Sequence, residues 1–362
     1  MPASALRTMF PSPSSTLIQS VDDSWQQAMK ASTSTNDRSE SASTFSVFKL
    51  QHNITASLEA TRWMRLFHSC GRYQQAILTS LSLNSSTSTW LTTPPLSGQP
   101  GYVMKCDEFL LAVRHRLGIL PFDSLRNELC INCASRNNDT PELLVDPDHV
   151  HSCVIQRGRG VKRRHDRVKM VLAGLARECG YLVEVEPRFP KRLHTTQSQS
   201  YCQFTASDAI AGDIHGDLLL MRHSTHELID VTIVRPTTLT LLQHGGTSTG
   251  SHMEPLVASH QAEQRKHQMY DAECARHGWK LIPFVMESYG ALGQQSSHLL
   301  ARMSSHHPTL SPHEFMIHAH RLLSVALQCG NADLTARGTA EMHHHAYRTG
   351  TGASGVAAAS CG

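Results

Sequence analysis

The sequence predicts an α/β sandwich in the second half of the chain. Three observations carry this. Runs of β-type residues, YLVEVEP, DLLLM, ELIDVTIV and WKLIPFVME, fall between residues 181 and 287. Helix-period segments flank and separate them, so the order from Gly160 is helix, strand, strand, strand, helix, strand, helix. The 362-residue length allows two or three domains at roughly 100–200 residues each, and no run of about 18 apolar residues marks a membrane span.

Each element follows from its residues. Residues 1–50 are Ser- and Thr-rich, with too few large apolar side chains to offset chain entropy, and read as a disordered tail. Residues 51–125 read as a helical, linker-like region. Ile54, Leu58, Trp63, Leu66 and Phe67 recur near one helical face, GRYQQAILTSLSL continues as a second helix, and Pro94 and Pro95 interrupt. CDEFLLAVRHRLGI reads as a third helix, with Asp107 as N-cap and Gly118 past its end. The segment from Gly160 to Gly180 is one helix with a dense basic start and apolar Val168, Val171, Leu172 and Leu175. Pro187 ends the strand YLVEVEP, and residues 188–212 read as a loop. DLLLM and ELIDVTIV are two buried-type strands about a turn apart, and a Gly/Ser/Thr-rich loop over 237–255 follows them. Leu256 to Arg276 is a long helix, WKLIPFVME a strand, and ALGQQSSHLLARMSSH and HEFMIHAHRLLSVAL two further helices. A loose tail is expected from about Gly330.

Charge and cysteine usage narrow the function classes. Thirty-three Lys+Arg against 30 Asp+Glu give +3, which argues for a local basic patch rather than a uniformly basic coat. The first twenty residues lack a continuous apolar core, so a secretory signal is not expected. Ten cysteines are too sparse for a disulfide scaffold and read as thiols or metal ligands in a reducing compartment.

Four of these residues have metal spacing. Cys130-x2-Cys133, fifteen intervening residues, then His149-x3-Cys153 suits a tetrahedral zinc ion, with His151 as a rival ligand. The polar segment between them cannot pack a core unaided, so the metal would hold it. Four ligands leave no open position, which makes the predicted zinc structural. The competing reading is scattered thiols and surface histidines.

The basic start of the following helix carries Arg157, Arg159, Lys162, Arg163, Arg164, Arg167 and Lys169 against a single acid, Asp166. Phosphate contact through charge and counterion release is the functional reading, and a solvated helix face or a nuclear-import signal the competing one.

Asp217 opens DLLLM and Asp230 lies inside ELIDVTIV, with twelve residues between them. Two consecutive strands joined by a turn bring such carboxylates together, and Glu186 on YLVEVEP can supply a third. Paired carboxylates hold Mg²⁺ with positions open for phosphate and water. An Asp within Leu-Ile-Asp-Val-Thr-Ile-Val costs several kcal/mol if buried unpaired. Lys266 can orient a water and balance developing charge. The alternative is that Asp230 bonds locally and Asp217 merely follows a turn.

Taken in order, Cys-x2-Cys, His-x3-Cys, Arg164-His165-Asp166, Glu186-Pro187, Asp217, Asp230 and the AE-x-RK helix resemble the restriction-like endonuclease region of non-LTR retrotransposons. STWLTTPPLSG, FLLAVRHRLGI and GWKLIPFVMESYGALG extend the resemblance from Ile54 to His306. It implies a restriction-endonuclease-like core of the PD-(D/E)xK class, a mixed sheet flanked by helices over 157–310. A CCHC zinc knuckle over 126–156 would precede it, and a C-terminal helix and tail over 311–362 would follow. It also implies Mg²⁺-dependent nicking of DNA in the nucleus, or residence in the cytoplasm before import, with element RNA a second partner. By position, Asp217 and Asp230 would be metal ligands and Lys266 the migrated catalytic lysine. Glu186 would be a supporting acid, and Arg164, His165 and Asp166 would lie near the DNA.

The chain departs from the family pattern. Gly216 stands where Pro or Ala is usual, Thr232 where the ordinary motif has Lys, and Asp213 is a rival first acid. The pair Asp22-Asp23 follows Ser20-Val21, without the aromatic of the polymerase signature. The chain is therefore expected to be a fragment, decayed copy or domesticated remnant. The rival function is a catalytically inactive nucleic-acid-binding module.

Overall fold

A computed structural model of the protein describes residues 55, 58–83, 87–93, 103–121, 151, 159–187, 216–242 and 250–348. The chain divides into two units, Met1–Gly71 and Arg72–Gly362. In the first, residues 58–69 are helical, and Trp63 stacks on Phe67 with ring centroids 4.9 Å apart. Trp63 and Leu66 of that helix are exposed.

The second unit runs α1 (Arg72–Leu81), α2 (Thr89–Thr92), α3 (Cys106–Arg116), α4 (Arg159–Glu178), β1 (Leu182–Val185), β2 (Leu218–Arg222) and β3 (Thr225–Val234). It continues through α5 (Leu239–Leu242), α6 (Val257–Arg276), β4 (Lys280–Glu287), α7 (Gln294–Ser304) and α8 (Pro312–Arg348). The sheet is mixed, with strand order β1-β2-β3-β4. β1 and β2 pair antiparallel, as do β2 and β3, whereas β3 and β4 pair parallel across the α6 crossover. Among the described residues β4 is an edge strand, which accommodates Pro283 opposite Asp230.

Alternation along the strands sorts the side chains into two layers. Leu218, Leu220, Ile229, Val231, Ile282, Phe284 and Met286 face α4, α7 and α8, and form the main core with Leu172, Leu299 and Phe315. Leu219, Leu228 and Leu281 face the opposite way and pack with Cys274, Tyr270 and Trp279. α6 thus covers one face, and α4, α7 and α8 cover the other. On the outer side of α8, Val325 and Cys329 pack with Trp90 of α2 and Ala112 of α3.

Three expectations change. α3 begins at Cys106 with Lys105 as N-cap; Asp107 lies in the first turn, and the Glu108 carboxylate accepts from the Lys105 backbone N–H at 3.0 Å. A short helix, α5, interrupts the 237–255 loop. The last helix does not stop near Gly330 but continues to Arg348. A Cβ at Gly330 would come within 2.7 Å of Arg164 Cγ and 3.1 Å of Arg164 Cα. The glycine therefore permits α4 and α8 to cross closely, rather than ending a helix.

Candidate active site

The site is built where β2 begins, β3 passes and α6 lies over them. Asp217, Leu219 and Met221 share one parity, as do Leu228, Asp230 and Thr232, so both acids belong to the face covered by α6. The Asp217 backbone N–H donates to Ile229 O at 3.2 Å, and the Val231 N–H donates to Asp217 Oδ2 at 2.7 Å. The hairpin register itself therefore brings the two acids together.

From α6, Lys266 Nζ donates to Asp230 Oδ2 at 2.8 Å. Thr232 Oγ1 donates to the same oxygen at 3.1 Å. Lys266 thus brings its ammonium to Asp230 from the covering helix. Burial raises the Asp230 carboxyl above its ordinary range, opposed by Lys266 and reinforced by the charge of Asp217. Tyr270, one turn beyond Lys266, lies on the same stripe of α6 as Cys274. Its ring sits 5.5 Å from Lys266 Nζ. Burial, then the charges of Asp230 and Asp217 and a hydrogen bond to Asp230, push its hydroxyl up to about 12, so it stays protonated. The i, i+4 spacing of Lys266 and Tyr270 was the sequence signal for this residue, but it does not by itself say what the pair faces.

α4 contributes from the sheet end. His165 Nε2 lies 3.0 Å from Asp217 Oδ2, and Nδ1 lies 3.2 Å from Asp166 Oδ1. Burial lowers the imidazole's affinity for a proton, but Asp217 and then Asp166 more than compensate and raise it. Lys169, buried, reaches Glu186 at 2.8 Å and Asp166 at 3.0 Å. Its hydrogen bond and charge hold the Glu186 carboxyl below the ordinary range. The Glu186 side chain is exposed and turned to Lys169, whereas its backbone N–H donates to Asp217 O at 2.9 Å.

The remaining basic residues divide. Lys162 and Arg167 are exposed, and Arg163 is exposed while pairing with Asp333 at 3.1 Å. Arg163, Arg167, Met170, Gly330 and Asp333 line a groove of about 370 Å³ between α4 and α8. Arg164 points inward: it is 3% exposed, and its Nη1 reaches Asn331 Oδ1 at 2.9 Å and His151 Nδ1 at 3.2 Å. Thr335 Oγ1 lies 3.3 Å from the other nitrogen of His151, whose ring stacks on His115. Arg159 begins α4, but its side chain is outside the described residues, as are Arg157, Cys130, Cys133, His149, Cys153 and Asp213. Among the described residues, no group of three or more His, Cys, Asp or Glu side chains is placed to hold a metal ion. No helix among them is long and apolar enough to cross a membrane.

The fold and the site define a mixed α/β sheet carrying two adjacent carboxylates, one of them paired with a lysine from the covering helix. No protein-family model matches the chain. The chain is similar to the retrotransposable element SLACS 132 kDa protein of Trypanosoma brucei gambiense, with 24% identity over 159 residues. The match covers 43% of this chain and spans 12% of that protein's length. The similarity relates the chain to retrotransposable elements.

Proposed function

We propose that the protein is a metal-dependent DNA endonuclease with a restriction-like core, derived from a non-LTR retrotransposon. The observation that carries this is the juxtaposition of Asp217, Asp230 and Lys266, with Lys266 Nζ 2.8 Å from Asp230 Oδ2. The donor set suits Mg²⁺, which binds through one or two carboxylates and keeps its other positions for water and phosphate. Asp217 and Asp230 would hold it. Burial and the charge of Asp217 raise the Asp230 carboxyl despite Lys266, and a bound cation would oppose both. Bound there, the ion would supply Lewis-acid activation of water and phosphate.

The chain's own residues would do the rest. Lys266 would balance negative charge developing on the phosphodiester and orient the attacking water. Tyr270, protonated through the working pH range, would hold the Asp230 carboxylate from the helix side. Lys162, Arg163 and Arg167 would contact backbone phosphates. α4 has no acid in its first turn and instead begins with cations at the positive end of its dipole. That arrangement is unfavourable alone and favourable beside an anion. Glu186 would act indirectly, by holding Lys169. Cys130, Cys133, His149 and Cys153 would hold a structural zinc. The engagement of both ring nitrogens of His151 within the core supports His149 as the histidine of that set.

The test is nicking of supercoiled plasmid with Mg²⁺, comparing wild type with Asp230→Ala and Lys266→Ala. Nicking that needs Mg²⁺ and is lost in both variants is expected. Equal nicking by Asp230→Ala would overturn the assignment. Salt-sensitive binding without nicking by the wild type would leave a nucleic-acid-binding module in place of an enzyme.

A further inference from the structure

Among the described residues, both donors to the Asp217 carboxylate fall on one oxygen. His165 Nε2 lies 3.0 Å from Oδ2, and the Val231 N–H reaches the same atom at 2.7 Å. Oδ1 is thereby left for a ligand. The other imidazole nitrogen is also engaged, 3.2 Å from Asp166 Oδ1. Lys169 fixes Asp166 at 3.0 Å and is itself fixed by Glu186 at 2.8 Å. The ring therefore cannot swing toward a phosphate without breaking a contact at each end.

We propose that His165 is a positioning residue for Asp217 rather than a DNA contact. By donating to Oδ2 it stops rotation of the carboxylate, so that Oδ1 would be the oxygen offered to a cation. Asp166 orients the imidazole, and Lys169 anchors Asp166. This rests on the paired-carboxylate reading of the site and assigns the Arg164-His165-Asp166 segment a division of labour. Arg164 joins α4 to α8, His165 aims the ligand, and Asp166 holds His165. Carboxylates that bind metal are commonly oriented by such outer hydrogen bonds, and losing one costs roughly 10–100-fold in metal affinity.

The experiment measures Mn²⁺ binding to the full chain without DNA, by the paramagnetic resonance of free Mn²⁺. Wild type is expected to bind Mn²⁺ at a site that Asp217→Asn removes. His165→Ala weakens that site by about 10–100-fold. His165→Gln, whose amide nitrogen can replace Nε2, recovers most of the affinity, and Asp166→Asn weakens it less than His165→Ala. DNA binding without added Mg²⁺ or Mn²⁺ supplies the second readout. His165→Ala keeps the wild-type salt slope, whereas Arg167→Ala lowers it by about 1. Thermal melts of each variant confirm that it is folded. Wild-type Mn²⁺ affinity in His165→Ala overturns the proposal. So does a reduced salt slope in that variant, or a His165→Gln variant no better than alanine. A wild type with no Mn²⁺ site sensitive to Asp217→Asn would instead bring down the nuclease reading, and the positioning role with it.

Discussion

Gly216 shows how one missing methyl group shapes the site. A Cβ there would lie 2.3 Å from Leu228 Cδ1 and 2.9 Å from Cγ, so a side chain ahead of Asp217 fits only if Leu228 shifts. Gly216→Ala is expected to cost roughly 1–3 kcal/mol through overpacking. Combining it with Leu228→Val, which shortens the obstructing side chain, should cost less than the two changes summed. Urea denaturation of the four proteins checks this, and strict additivity would show that the contact does not matter. The proximity of Asp217 and Asp230 was legible at this scale, because two consecutive strands joined by a turn bring such carboxylates together. What was not legible is which partner each inward side chain meets. Arg164, His165 and Arg167 look alike as charge on a helix, yet Arg164 is buried, His165 faces Asp217 and Arg167 is exposed. Periodicity fixes angles around a helix axis, not the neighbours that lie at those angles.

At the level of the element, α4 and α8 explain both a success and a failure of the sequence reading. The α4 boundaries follow from its apolar stripe, with Val168, Leu172 and Leu175 fully buried. α8 was cut short because glycine usually ends helices, whereas Gly330 is a crossing point. Gly330→Val is expected to destabilise the protein by roughly 1–3 kcal/mol, because its branched side chain meets the Arg164 backbone and stem. A Tm equal to or above wild type would show that the two helices can separate without loss. The first turns of α4 divide their cations between core and surface, which gives a paired prediction. Arg164→Ala removes a buried donor from Asn331 and should cost roughly 1–3 kcal/mol. Arg163→Ala removes one exposed ion pair with Asp333 and should cost less than about 1 kcal/mol. Chemical denaturation separates the two. Comparable losses would contradict the division of α4 into an anchoring face and a surface face.

For the whole molecule, a single buried carboxyl joins the end of the sheet to α1 and α6. Glu287, the last residue of β4, is 1% exposed. Ser80 of α1 donates to its Oε2 at 2.5 Å, and Ser259 of α6 to its Oε1 at 3.4 Å. Among the described residues its partners are hydroxyls rather than a cation, and burial pushes the carboxyl up to about 7 from 4.5 despite those hydrogen bonds. The folded state thus retains a proton that the unfolded chain releases above pH 4.5. The stability tied to that proton is fully present below the unfolded value and is lost as pH rises through about 7. Over that window the group lowers the unfolding free energy by roughly 3 kcal/mol, an order-of-magnitude figure. Asp166 and Glu186 act in the opposite sense and at lower pH, since Lys169 holds both carboxyls below their ordinary range. A comparison at matched pH therefore isolates Glu287. Glu287→Gln keeps the size and an acceptor for the serines but cannot ionise. It should match the wild type in stability near pH 5 and exceed it by up to roughly 3 kcal/mol at pH 8. Denaturation curves at several pH values between these limits read the difference directly. Parallel curves would mean that Glu287 ionises at the same pH folded and unfolded, and that the α1–β4–α6 junction admits enough water to hydrate a charge.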